Sequence, residues 1–404
     1  MTLLPAPGRA PRPQPSLLAR GRPRPPGRRG LPMPGCWAAV LCLACAAPAQ
    51  AQSSLSLYGL MDLFGQHLQG AAHSTRLQPG GSYGPRLGLR GSEDLGSGRR
   101  AIFLLEMGFS PDDGTLGQGG LMFGRQAVLG LSDAAWGELT LGRQLGSLYR
   151  LGADFSAFSI GLAGPSATTI GGFAGGYEPF RGASPSAQPP AAGATGNGSP
   201  ARLNNSLRYA TPTWAGLQAT ALLGLGEQSG SPARNRVLDL SLRYSSSVLE
   251  ATLAYVSDRS RPDGAASATV TDNISWGLGA IYRSGPYSVY VGGVLTDDRR
   301  LANEDGAGYW LGIARDWGRH TLKLQMLQNR PSHGEHEVTR ALGLGHEYTL
   351  SPRTVLYSSV TRFRNGRLAG VDGQGRFNAA LPVGLTRPGQ ANLSEWALGL
   401  RLSF

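Results

Sequence analysis

Along residues 52–404 hydrophobic and polar positions alternate one by one, the two-residue period of a strand with two unlike faces. The last strand is the cleanest. Trp396, Leu398, Leu400, Leu402 and Phe404 alternate with Glu395, Ala397, Gly399, Arg401 and Ser403. The same pattern runs through 238–244, 249–256 and 274–283, while helical spacing is hard to find. A water-soluble sandwich shows this alternation with its apolar face inward. Two features point to the inverted arrangement. Short turns (91–98, 132–137, 211–216, 245–247, 284–286, 316–319 and 351–353) alternate with longer loops (67–82, 110–120, 145–201, 227–236, 257–272, 297–306, 329–337 and 365–391). Aromatic residues also sit near strand ends, among them Tyr244, Tyr255, Tyr282, Tyr287, Tyr348 and Phe404, as in the interfacial girdles of membrane barrels.

Seven short turns and eight long loops predict sixteen antiparallel strands closed into one all-β transmembrane barrel. Closure is a physical requirement, because an open sheet edge in hydrocarbon leaves N–H and C=O groups unpaired. At sixteen strands side chains cannot fill the interior, so a water-filled channel is expected. No run of 18 apolar residues occurs, which excludes a helical membrane span.

The first 51 residues read differently. Residues 1–30 are rich in Pro and Arg, and GCWAAVLCLACAAPAQA follows from Gly35. A short apolar core ending at Ala49-Gln50-Ala51 is the form of a secretory signal peptide, so 1–51 is expected to be cleaved and 52–404 to form the barrel. Both Met1 and Met33 stand as starts. The chain of 404 residues has a formal charge of +12; without the leader's seven Arg this falls to +5. The remaining Arg are scattered, which argues against nucleic acid as a partner. All three Cys (Cys36, Cys42 and Cys45) lie in the leader, so no disulfide framework or zinc site is expected.

Several segments resemble the trimeric general porins of Gram-negative bacteria, in their β-proteobacterial branch. They are LSLYGLMD (55–62), RLGLRGSEDLGSGRRAIFLLEMGF (86–109), FGRQAVLGLS (123–132), GELTLGRQ (137–144), RLNNSLRYATPTWAGLQ (202–218), HEYTLSPRTVLYSSV (346–360) and GLRLSF (399–404). The resemblance implies an outer-membrane homotrimer that passes small hydrophilic solutes and ions without a cofactor. It also implies a third loop, here 145–201, folded into the pore opposite a ladder of wall arginines. Arg86 and Gln126, beside Arg125, match the wall positions, and Arg181 corresponds to a loop arginine. The loop holds only Asp154 and Glu178 as acids.

Alternation places Arg86, Arg90, Arg100, Arg208, Arg243, Arg283 and Lys323 on the lumen side, together with Asp62, Glu106, Glu138, Asp239, Glu250 and Glu347. Either these charges pair to hold the barrel's shape, or some form a fixed field across the pore. The eyelet and lumen candidates are Arg86, Arg90, Arg100, Glu106, Arg125, Gln126, Asp154, Arg181 and Arg208, and a modest anion preference follows from the positive balance. The alternatives are a channel preferring organic or phosphate anions, where an arginine ladder binds bidentately, and a plugged structural or adhesive barrel. Leu55, Leu57, Leu398, Leu400 and Phe404 form an apolar face that suits a trimer contact or lipid. Further expected partners are outer-membrane lipid and lipopolysaccharide, and the barrel-assembly machinery acting on the strand that ends at Phe404.

Catalysis finds little support. Gly80-Gly81-Ser82-Tyr83-Gly84 matches G-x-S-x-G but sits in a Gly-rich stretch before a strand, not between a strand and a helix. Glu93 and Asp94 read as a solvated turn. His333 and His336 flank Glu335 in an expected surface loop, and no metal site is assigned.

Overall fold

The computed structural model of the protein describes residues 53–165, 201–227, 236–259, 273–298, 306–331, 338–364 and 392–404. The expected leader lies outside them. The strands are β1 (Ser54–Gln69), β2 (His73–Pro79), β3 (Arg86–Gly96), β4 (Arg99–Gly108), β5 (Gln126–Asp133), β6 (Gly137–Leu145), β7 (Arg202–Ala210), β8 (Leu217–Gly224) and β9 (Val237–Ser245). They continue as β10 (Leu249–Asp258), β11 (Asn273–Ser284), β12 (Tyr287–Asp298), β13 (Gly306–Trp317), β14 (His320–Pro331), β15 (Thr339–Ser351), β16 (Thr354–Arg364) and β17 (Leu393–Ser403). Two short helices interrupt the pattern, α1 (Gly117–Gly120) and α2 (Ser147–Asp154).

Every sequential pair of strands from β3 onward is antiparallel, and β17 pairs with β1 to close the barrel. Seventeen segments fill sixteen barrel positions, because β2 and β3 share one. The upper half of β1 pairs with β2 (Leu63 opposite Pro79), and its lower half pairs with β3 (Leu60 opposite Arg86). Short turns occur at all seven expected places, but the one expected over 91–98 is confined to 97–98, because β3 stays paired with β4 as far as Gly96. The long loop expected over 67–82 does not form: β1 runs on to Gln69, turns, and returns as β2, and the chain breaks at 80–85 instead. The reason is depth. The upper part of this hairpin presents His67, Gln69, His73 and Thr75 outward, so it lacks the apolar face that marks a strand crossing lipid.

The outer surface carries the apolar row of each strand. Leu278, Leu295, Leu311 and Leu342 are all half-exposed there, as lipid-facing residues of a barrel are. Tyr244, Tyr255, Tyr282, Tyr287 and Tyr348 belong to the same outward rows, and Phe404 closes the ladder through paired backbone bonds with Gly59 (2.9 and 3.0 Å). Gly59 admits this contact because a Cβ there would lie 2.3 Å from the Phe404 ring.

The apolar core lies between the third loop and the wall, not at the barrel's centre. Helix α2 rests on β9, β10 and β11. Leu148, Leu151 and Phe155 are buried against Ala254, Ile281 and Trp310, and each such side chain contributes about 1.5–3 kcal/mol. Two wall glycines make the approach possible: a Cβ on Gly277 would meet Leu148 and Leu151 at 2.7 Å, and one on Gly279 would meet Leu151 at 2.5 Å.

Candidate functional site

The third loop enters the lumen as α2. Its first residue, Ser147, donates its backbone N–H to Asp239 of β9 at 2.7 Å. Gly146 offers no side-chain cap, so a carboxylate from the wall satisfies the helix start and complements its dipole. Beyond the helix the loop follows the wall. Trp310 Nε1 donates to the Phe155 carbonyl at 2.7 Å. Gln325 Oε1 accepts from Ser156 Oγ (3.0 Å) and Ala157 N (2.9 Å), while its amide donates to the Pro165 carbonyl. The Gly164 N–H reaches Glu395 at 3.2 Å. Leu162 and Ala163 then donate to the Gly80 and Gly81 carbonyls, both at 2.9 Å.

This last contact gives the Gly-rich stretch its role. The 80–85 break turns inward, with Gly80 at φ 77°, and Asp62 Oδ2 accepts the backbone N–H groups of Ser82 and Tyr83, both at 2.8 Å. The Ser82 hydroxyl takes a hydrogen bond from Arg401, and the Arg401 guanidinium lies 4.9 Å from the Tyr83 ring centre. Ser82 therefore belongs to a loop anchor.

The charged groups concentrate on the wall from β3 to β11. Arg125 pairs with Glu106 at 2.7 Å with both side chains buried, and the same carboxylate accepts from Tyr58 at 2.8 Å. Arg125 also reaches the Tyr149 hydroxyl of α2 at 3.4 Å. Arg208 pairs with Glu138 at 2.9 Å. Arg243 bridges Asp154 of the loop (2.9 Å) and Glu250 (2.7 Å), and Arg283 holds the second oxygen of Glu250 at 2.8 Å. Arg202 covers the Tyr149 ring at 4.8 Å. Burial alone would raise the Tyr149 pKa, but Arg125, Arg202 and Arg86 outweigh it and hold the hydroxyl below the ordinary phenol value. The potential around α2 is positive.

Seven guanidinium groups (Arg86, Arg125, Arg150, Arg202, Arg208, Arg243 and Arg283) thus stand against five carboxylates (Glu106, Glu138, Asp154, Asp239 and Glu250). The guanidinium groups of Arg86 and Arg150 make no hydrogen bond or ion pair among the described residues. Arg150 is exposed on α2 with Arg208 and Arg243 near it, and the carboxylates of Asp154 and Asp239 also lie close. Across the lumen the charges cancel more closely: Lys323 and Arg401 both meet Glu347.

The structure thus brings together Arg86, Glu106, Arg125, Gln126, Asp154 and Arg208 around α2, with Gln126 directly opposite Glu106 on the neighbouring strand. It separates two others. Arg90 is exposed and lies over the Tyr58 ring at 5.4 Å, below the constriction. Arg100 stands opposite Asp94 beside the short turn at 97–98, at the end of the barrel away from α2. Arg181 lies outside the described residues, as do Glu178, His333 and His336. Arg150, Arg202 and Tyr149 were missing from the sequence reading. A two-residue period says nothing about a helix inside a loop, and the three become legible only once α2 is placed. Among the described residues no group of three or more His, Cys, Asp or Glu side chains could hold a metal ion.

Comparison with known families matches residues 38–368 to Gram-negative porin. The chain is 30% identical over 283 residues to an outer membrane porin protein of Bordetella pertussis, covering 61% of this chain and 64% of that one. It is 29% identical over 367 residues to outer membrane porin protein 32 of Delftia acidovorans, covering 87% of this chain and 96% of that one. Among solved structures, an anion-selective porin from Comamonas acidovorans superposes with a TM-score of 0.69 at 24% identity, over 87% of this chain and 100% of that one. The barrel is therefore shared at the level of fold.

Proposed function

This chain belongs to the Gram-negative porin family, and from that premise we propose that its outer-membrane barrel is a diffusion channel for small hydrophilic solutes and ions with a preference for anions. The observation that carries the preference is the pair Arg86 and Arg150, whose guanidinium groups meet the lumen without a hydrogen bond or ion pair among the described residues, although Glu106 lies near the first and Asp154 and Asp239 near the second. A guanidinium keeps its charge at any physiological pH, and opposed or unopposed rings of charge set the selectivity of such pores. The loop adds to the positive side, since its described acid, Asp154, is already bound to Arg243. The anion selectivity named for the Comamonas relative of the same fold supports this reading.

The barrel is a diffusion device and performs no covalent chemistry. We also propose a cleaved leader over 1–51 and a homotrimer that uses the exposed faces of β1 and β17. Leu55, Leu57, Leu398, Leu400 and Phe404 are all outward and about half or more exposed.

The test is single-channel conductance of residues 52–404 in a planar bilayer under a salt gradient. Steps in groups of three, a conductance that does not saturate, and a reversal potential displaced toward the anion's equilibrium value are expected. A cation-side reversal potential overturns the preference. Conductance that saturates with one organic or phosphate anion makes Arg86 and Arg150 a binding station, and the absence of steps makes the barrel a plugged one.

A further inference from the structure

The outward face of the barrel carries, at its short-turn end, a pair of histidines that the channel does not use. His320 opens β14 and His346 lies on β15, with Tyr348 opposite the first and Leu322 opposite the second. Both belong to outward rows. Leu322, Leu324 and Leu344 on the same rows are about half exposed, while the alternate residues Lys323 and Glu347 turn into the lumen and pair there. The turn that separates Trp317 from His320 sets the level. In an outer membrane this is the periplasmic edge of the apolar band.

Two strands bring the imidazoles to one point. Diagonal positions across an antiparallel pair lie about 7–8 Å apart, within reach of long side chains. Here the rings close that gap, and His320 Nδ1 stands 3.0 Å from His346 Nε2. Both residues are half-buried. Their surroundings hold them in place. The Trp317 ring stacks on His320 with 5.4 Å between centres and 12° between planes, and the Tyr348 ring lies 4.8 Å from the same imidazole. The Arg315 guanidinium in turn lies 5.9 Å from the centre of the Trp317 ring. An aromatic girdle accounts for Trp317 and Tyr348. It does not require two imidazole nitrogens turned on one another.

Neutral imidazole is the commonest metal ligand. As the pair stands, one ring nitrogen donates its proton to the other. When each ring instead carries its proton on its second nitrogen (Nε2 of His320, Nδ1 of His346), both lone pairs face the gap and no proton is released. Bonds from imidazole nitrogen to a metal are about 2.0–2.1 Å long, so two of them meeting at about 90–109° set the nitrogens about 2.9–3.4 Å apart. The observed 3.0 Å lies within that interval. Imidazole suits copper, zinc and nickel, and Cu2+ is held most strongly of the divalent series. Magnesium and calcium take oxygen ligands.

We propose that His320 and His346 form a two-imidazole site for a divalent transition-metal ion, Cu2+ ahead of Zn2+, with water in the remaining positions. The ion would tie β14 to β15 beside the turn at 318–319. The site faces away from the lumen and is independent of pore selectivity.

The test titrates the purified full barrel in detergent with Cu2+ and reads tryptophan emission together with the copper electron paramagnetic resonance spectrum. Copper should quench emission, because Trp317 stacks on a ligand, and the spectrum should show coupling to two imidazole nitrogens. His320→Asn and His346→Asn should each bind copper at least about tenfold more weakly, since even the loss of an outer-shell partner costs about 10–100-fold. Trp317→Phe should lose most of the quench and keep the two-nitrogen spectrum. Single-channel conductance should be the same with and without the ion. Should the histidine variants fail to fold, the wild-type spectrum alone decides: coupling to one nitrogen or to none overturns the proposal. His67→Asn is the control, because His67 and His73 form another outward pair of rings, 6.4 Å apart, at the long-loop end. Loss of binding in His67→Asn but not in His346→Asn would put the ion on that other pair and overturn the assignment. Displacement of copper by an equal concentration of Mg2+ would make the site a general cation surface, which also overturns it.

Discussion

Two kinds of arginine share the lumen, and their surroundings separate their roles. Arg125 is buried with Glu106; removing one partner of such a pair strands a buried charge at about 3–5 kcal/mol. Arg125→Ala should therefore lower the urea midpoint of unfolding, and at the same time it should weaken anion preference by leaving Glu106 uncompensated. Arg150 is exposed and unpaired, so Arg150→Glu should leave the midpoint within experimental scatter while moving the reversal potential toward cations. Arg86→Ala should move it in the same direction by less, because it removes one charge where Arg150→Glu changes two. If Arg150→Glu leaves selectivity unchanged, α2 does not set the field. Arg86 and Arg208 were legible from alternation, since a strand assigns every second side chain to one face. Arg150 was not, since its position depends on where a helix in a long loop comes to rest.

At the scale of elements, α2 and the segment after it are held by the wall at many points, and the wall is shaped to receive them. Leu151 is 1% exposed and sits over Gly277 and Gly279. Gly279→Leu should push α2 off β11. The expected outcome is a larger and noisier single-channel conductance with the barrel intact by circular dichroism; unchanged conductance would mean that α2 does not bound the opening. Gln325→Ala removes the amide that bonds Ser156, Ala157 and Pro165, and should loosen the later part of the loop with a smaller effect on selectivity, because the unpaired guanidinium of α2 is untouched. The inward break at 80–85 shows the limit of reading elements from pattern. Its glycines suggest a loop, and the polar outward row of the hairpin above it reinforces that suggestion. Only the pairing of β1 with both β2 and β3 shows one interrupted wall strand.

For the whole molecule the decisive event is closure, where β1 meets β17 over ten paired residues from Leu60–Ser403 to Gln69–Ser394. Phe404 extends that seam through its backbone bonds to Gly59 and lays its ring over the glycine. Gly59→Leu should displace the ring and reduce the yield of refolded, heat-modifiable barrel on gels. Phe404→Ala should reduce it less in vitro, because the backbone pairing survives. Equal yields for Gly59→Leu and wild type would show that the ring's seat plays no part in closure.

The alternation of side chains determined the strands, their inward and outward faces and their number, because each follows from a period-two backbone and a requirement to pair every polar group in lipid. Turn chemistry determined the seven short connections. What only the tertiary structure decided is the course of the third loop and the charge balance around it. Asp239 caps a helix 92 residues earlier, Asp154 is bound by Arg243 of the wall on which α2 rests, and the Arg150 guanidinium is left without an ion pair among the described residues. Those outcomes depend on which groups meet across the barrel, and a local periodicity carries no information about partners so distant along the chain.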